Sequence, residues 1–256
     1  MSARAPLLRC CAAALALAFV AATAYAQPQA PARVEPPKSA RESAAIDLTG
    51  QWVSIVNEDW RWRMVTPPKG DYTSVGPLNA MGKAVADKWD PSEDGSCRAY
   101  GAGGLMRMPT RLRIEWDGDA AIAVRTDAGA QLRRFEFTPQ NDSGAPSLQG
   151  HSFATWQRTV PPPGRPVGAP PAGGSLKVIT NKLVPGWLRK NGVPYSADTT
   201  LTEYYDRFAA PNGDEWLVVT TIVEDPQYLN GRFITSSHFR REKDRAKWNP
   251  KPCRPL

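Results

Sequence analysis

Residues 111–137 read RLRIEWDGDAAIAVRTDAGAQLRRFEF. In Arg111–Trp116 the apolar Leu112, Ile114 and Trp116 alternate with Arg111, Arg113 and Glu115. Period two puts the first set on one face of a strand and the second on the other. Asp117-Gly118-Asp119 turns the chain, and Ala120–Thr126 returns with Ile122 and Val124. Asp127-Ala128-Gly129 turns it again, and Gln131–Phe137 makes a third pass. Asp and Gly tolerate the backbone of tight turns, so the stretch predicts an antiparallel meander. Such a meander has two open edges.

The flanking chain supplies strands to cover them. Thr49–Asn57 precedes the meander, and Leu148–Gln157, Leu176–Leu183, Thr199–Phe208, Glu215–Val223 and Phe233–Arg240 follow it. Lys190-Asn191-Gly192, Pro211-Asn212-Gly213-Asp214 and Glu224-Asp225-Pro226 read as turns. About nine sequential strands close most economically on themselves, which removes the exposed edges. The expected fold is therefore mainly β, an antiparallel up-and-down barrel of eight or nine strands with one short helix. That helix should start at Pro77, run through Ala80, Ala84, Val85 and Trp89, and stop at Pro91. Tyr100–Gly104 reads as a flexible glycine-rich loop, and the proline- and glycine-rich residues 159–174 as a long exposed one.

Arg4 and Arg9, the apolar run Cys11–Ala24 and the small residues of Ala24-Tyr25-Ala26 predict a signal peptide over residues 1–26. Residues 27–46 read as a flexible linker, and 47–256 as one barrel domain. The expected location is periplasmic or secreted. The formal net charge is +7. Basic residues stand beside acids, as in Lys88-Trp89-Asp90 and Arg240-Arg241-Glu242-Lys243-Asp244, which describes a solvated face and speaks against nucleic acid as a partner. Of the four cysteines, Cys10 and Cys11 fall in the signal segment. Cys97 and Cys253 remain, and in an oxidising compartment they most simply form one disulfide. On the chain-entropy model it is worth roughly 4–5 kcal/mol. A pair of metal ligands is the rival reading, but there is no CxxC and no nearby His.

Asp47-Leu48-Thr49-Gly50-Gln51-Trp52 opens the first strand, and its Gly50-x-Trp52 resembles the first-strand signature of lipocalins and their calycin relatives. The resemblance implies that Trp52 plugs the closed end of a barrel, packed by an arginine of the last strand, here Arg240 or Arg241. The tract from Gly192 to Asp225, with Leu201-Thr202-Glu203 and Glu224-Asp225-Pro226, is similar to a family of exported bacterial proteins of unknown function. That resemblance implies location and fold but no activity.

Motifs that name a reaction are missing. There is no Gly-x-Ser-x-Gly elbow, no His-Glu-x-x-His, no calcium-loop pattern and no dinucleotide fingerprint. No cofactor or metal is expected. His238 shares a strand face with Ile234 and Ser236, and Glu203 lies on a strand expected to be near, so the pair is the candidate for general acid–base catalysis. Nine tryptophans are many for the chain. Trp60-Arg61-Trp62-Arg63-Met64, if extended, would put both rings on one side and both guanidinium groups on the other, facing an anion. The expected ligand-binding set is Trp60, Arg61, Trp62, Met64, Trp116, Tyr205 and Trp216.

These readings favour an exported monomer that holds a small hydrophobic or amphipathic molecule in its barrel. Two alternatives stay open: a barrel hydrolase or isomerase/cyclase using His238 and Glu203, and an envelope interaction protein that makes its contact through residues 159–174.

Overall fold

The structure, a computed structural model, describes residues 38–139, 144–159, 164 and 173–255. The expected signal peptide, the first part of the expected linker and most of the 159–174 insert lie outside the described residues.

In chain order the strands are β1 (Gly50–Ile55), β2 (Arg111–Trp116), β3 (Ala121–Thr126), β4 (Ala128–Gly129), β5 (Leu132–Glu136), β6 (His151–Arg158), β7 (Gly174–Asn181), β8 (Gly186–Arg189), β9 (Val193–Tyr195), β10 (Thr200–Ala209), β11 (Glu215–Glu224), β12 (Phe233–Arg241) and β13 (Lys251–Pro252). Leaving out β4, β8, β9 and β13, they close into one barrel in sequential order, with β12 returning to β1. The mainly β, up-and-down barrel expected from the sequence is the fold.

A ring of nine strands cannot alternate direction all the way round, so at least one neighbouring pair must be parallel. That pair is β5 and β6, joined only through Phe135–Ser152 and Glu136–Phe153. The other eight junctions are antiparallel, which corrects the all-antiparallel expectation at this seam. Strands that run the same way need a connection that comes back. On the described flanks of this connection, Phe137 lies in the aromatic cluster at the end where β1 begins, and Leu148 O accepts from Ala102 N near the other end.

Alternation fills the interior. β10 buries Leu201, Glu203 and Tyr205, and β12 buries Phe233, Thr235, Ser237 and Phe239. At the end where β1 begins, Trp116, Phe137 and Trp156 form an aromatic cluster with centroids 5.4–6.3 Å apart. Residues 38–46, the described part of the expected flexible linker 27–46, pack against it: Trp156 Nε1 donates to Ala40 O (2.9 Å) and Ile46 packs on the core.

The opposite end is plugged by residues 56–110, with α1 (Trp60–Arg63), α2 (Ala80–Ala86) and α3 (Ala102–Leu105), and by the β8–β9 hairpin. Leu105 and Met106 reach into the barrel cluster itself. The expected single helix starts three residues late. Leu78 bridges to Leu229 and the Pro77 carbonyl accepts from Asn230, so Asn79 becomes the cap, its side chain accepting from Gly82 N (2.8 Å). Trp60–Arg63 is a helical turn, so its Trp and Arg side chains do not segregate to two strand faces. Tyr100–Gly104 is neither flexible nor a loop. Gly103 and Gly104 lie buried in α3, where a Cβ would meet the Tyr195 ring at 2.7 Å and the Trp187 carbonyl at 2.5 Å, so glycine is needed for close packing.

Cys97 and Cys253 are bonded across a sequence separation of 156. The bond ties the C-terminus to the plug, beside the β13–β4 pairing and the Cys97 N to Arg254 O hydrogen bond (2.9 Å).

Candidate functional site

The barrel interior is occupied by its own side chains. Trp52, Leu112, Ile114, Phe135, Leu176, Val178, Tyr205, Leu217 and Phe239 form one buried cluster. At its centre stands a fully buried ion pair. Arg133 on β5 meets Glu203 on β10 in bidentate fashion, at 2.8 Å to Oε1 and 2.6 Å to Oε2. Arg133 Nη2 also donates to Thr180 Oγ1 (3.1 Å), and Tyr205 Oη donates to Glu203 Oε1 (3.3 Å). Burial alone would lower the Arg133 pKa, but Glu203 more than offsets it and the net shift is upward. Burial, reinforced by Glu203, pushes the Tyr205 hydroxyl well above its ordinary range. The bidentate geometry and complete burial of the pair suit a structural clamp better than a proton shuttle.

Glu203 and His238 are therefore not brought together. Glu203 points inward, while His238 shares the outward face of β12 with Ile234 and Ser236. Between the two strands lies β11. A wall one strand thick separates the two side chains, and the expected acid–base pair does not form.

The expected ligand set is divided among several places. Trp60 and Met64 are exposed on α1, Arg61 lies over the Trp62 ring, and Trp62 Nε1 donates to Asp71 Oδ2 (2.9 Å). Trp116 sits in the aromatic cluster at the opposite end, Tyr205 in the filled lumen, and Trp216 on the outward parity of β11. Asp225 staples a turn by accepting from Ser196 N (2.6 Å), Ser196 Oγ (2.9 Å) and Gln227 N (2.8 Å).

The large cavity lies elsewhere, at the parallel seam. It measures about 650 Å³ and is lined by Leu132, Arg134 and Glu136 of β5, His151 and Phe153 of β6, Ile179 and Asn181 of β7, and Thr138, Pro139, Ser147 and Leu148 of the returning connection. β5 and β6 pair only where β5 ends and β6 begins, and Thr138, Pro139, Ser147 and Leu148 border the cavity beside that junction. Phe153 and Ile179, cross-strand partners, supply an apolar wall. Arg134 reaches Glu136 Oε1 (2.8 Å) and Asp117 Oδ2 (3.3 Å), and His151 Nε2 donates to Ala145 O (3.2 Å). A volume in this range, mostly apolar with a few polar groups, is typical of small-molecule sites. His151 and Trp156 fall within the strand expected over Leu148–Gln157, but no local pattern marks the seam itself.

Among the described residues no group of three or more His, Cys, Asp or Glu is arranged to hold a metal ion. No protein-family model, curated protein or solved structure matches this chain.

Proposed function

We propose that this chain is an exported, lipocalin-like barrel protein that binds a small amphipathic molecule, and that the molecule sits in the cavity at the β5–β6 seam rather than in the lumen. The observation that carries this reading is the 650 Å³ cavity, with Leu132, Leu148, Phe153 and Ile179 for an apolar body and Arg134, His151 and Asn181 for a polar head. The filled interior argues for moving the site outward. The Gly50-x-Trp52 signature, with Arg241 over the Trp52 ring, supports the lipocalin-like kinship. The disulfide supports an oxidising location.

Anilinonaphthalene sulfonate provides a first probe. The mature protein should bind it saturably, and Ile179→Trp, which fills the cavity from the outer face of β7, should weaken binding by about tenfold or more. Equal binding by the two proteins would overturn the reading. Mass spectrometry of material extracted from natively purified protein should release an amphipathic compound from wild type that Ile179→Trp fails to retain.

A further inference from the structure

A second cluster sits in the plug, where three arginines that the barrel does not need are buried together. Arg63 and Arg189 are each 3% exposed and Arg107 is 8% exposed. With Trp62, Gly104, Met108, Leu188 and Lys190 they line a pocket of about 10 Å³, the space of a single water-sized group. Burying guanidinium groups is costly unless each finds an acceptor.

The acceptors present fall short. Arg63 gives Nε to Arg107 O (2.8 Å) and Nη1 to Glu58 O (3.5 Å), while its buried Nη2 has no partner. Arg189 gives Nη1 to Asp71 O (3.3 Å) and Nη2 to Ser74 Oγ, while its buried Nε has none. Arg107 alone meets a carboxylate, Asp59 Oδ2 at 3.0 Å. The Asp71 carboxylate is engaged instead by Trp62 Nε1 (2.9 Å) and Thr73 Oγ1 (2.9 Å). Buried N–H groups with nothing to donate to, in a pocket rimmed by cations, are the mould of a missing acceptor.

We propose that this pocket is an anion site in which one oxygen of a small oxyanion, of the phosphate, sulfate or carboxylate class, is held between Arg63, Arg107 and Arg189, with Lys190 and Trp62 at its rim. Arg forks match such oxygens in geometry as well as charge. The Trp62 ring carries both the Arg61 guanidinium (4.9 Å) and that of Arg189 (5.2 Å), contacts that help hold the rim in place. Arg63 and Arg189 are each pushed down to about 10, by burial first and by Arg107 second. The exposed Trp60, Met64 and Val65 next to this pocket bring a lipid phosphate into question as one source of the anion.

The test uses the disulfide-bonded mature protein at fixed ionic strength. Replacing a bulky organic anion by phosphate or sulfate should raise Tm by about 3 °C, in a saturable manner. Arg189→Gln should remove that response, and without added oxyanion it should be no less stable than wild type, because one buried like charge is gone. Bromide soaked into crystals of the wild type should give an anomalous peak among the three arginines, a readout independent of how any variant folds. Vesicles of phosphatidylglycerol compared with phosphatidylcholine separate the sources. Phosphatidylglycerol-specific binding displaced by phosphate means a headgroup site, and a phosphate response without vesicle binding means a free anion. A Tm that follows ionic strength alone, with no bromide peak, would overturn the proposal.

Discussion

The Arg241 guanidinium lies 4.1 Å from the centroid of the Trp52 ring, and its Nε donates to Glu215 Oε2 at 2.7 Å. Trp52 is fully buried and donates Nε1 to Leu48 O (3.0 Å). The first and last barrel strands, neighbours in the ring, are thereby fastened at the end where the chain enters. Gly50 makes room: its φ is +123°, and a Cβ there would overlap Arg241 Nη1.

This arrangement predicts a graded series. Trp52→Ala should cost about 3–5 kcal/mol, from a large buried ring removed, and Arg241→Ala about 1–2 kcal/mol. Gly50→Ala should destabilise through both backbone and collision, and less so in an Arg241→Ala background. Guanidinium unfolding of the four variants against wild type checks this, and strict additivity of Gly50→Ala with Arg241→Ala would refute the steric part.

The buried Arg133–Glu203 pair predicts a large asymmetry. Glu203→Gln leaves a buried guanidinium without its carboxylate and should lose about 3–5 kcal/mol. Replacing both partners, Arg133→Met with Glu203→Leu, should recover most of that loss. The same unfolding measurement decides, and a double variant as weak as the single one would show that the pair adds stability beyond what apolar packing supplies.

Reduction of the Cys97–Cys253 bond should act on the plug more than on the barrel. Cys253→Ser is expected to cost about 2–5 kcal/mol, and hydrogen exchange should accelerate first at β13, β4 and residues 95–100, which the C-terminus holds. Uniform acceleration across β10 and β11 would count against a local role.

Glu215 sets a pH dependence. Its hydrogen bonds with Arg241, then Arg207 (2.8 Å), hold its carboxyl below the ordinary range. The folded pKa is thus lower than the unfolded one, so this stabilisation is complete above the ordinary glutamate range and disappears as pH falls through the folded value. Tm of Glu215→Gln should lie below wild type at neutral pH, and the two curves should converge well below about pH 4.5. Parallel curves throughout would remove Glu215 from the acid response.

How much of this was legible in the chain differs from element to element. RLRIEW and EWLVVTTIVE announce strands because their alternation is local and complete. GWLR of β8 is buried at all four positions and shows no alternation, since the hairpin is enclosed on both faces. Arg133 stands on the same parity as the buried Phe135, a visible anomaly, but its meaning depends on Glu203, 70 residues away.

The sequence by itself determined the nine barrel strands, the turns between them and the barrel class, because each rests on local alternation and turn chemistry. The place of Trp52 followed from the lipocalin resemblance, and the cysteine pairing from the two cysteines left outside the signal segment. Only the tertiary structure decided which face of β12 turns inward, and with it the separation of His238 from Glu203. It alone placed the parallel seam with its cavity and gathered three arginines from residues 63, 107 and 189 into one pocket. Period two states that the faces differ but not which one the closed ring encloses, and strand parity is a property of the whole ring that no segment carries.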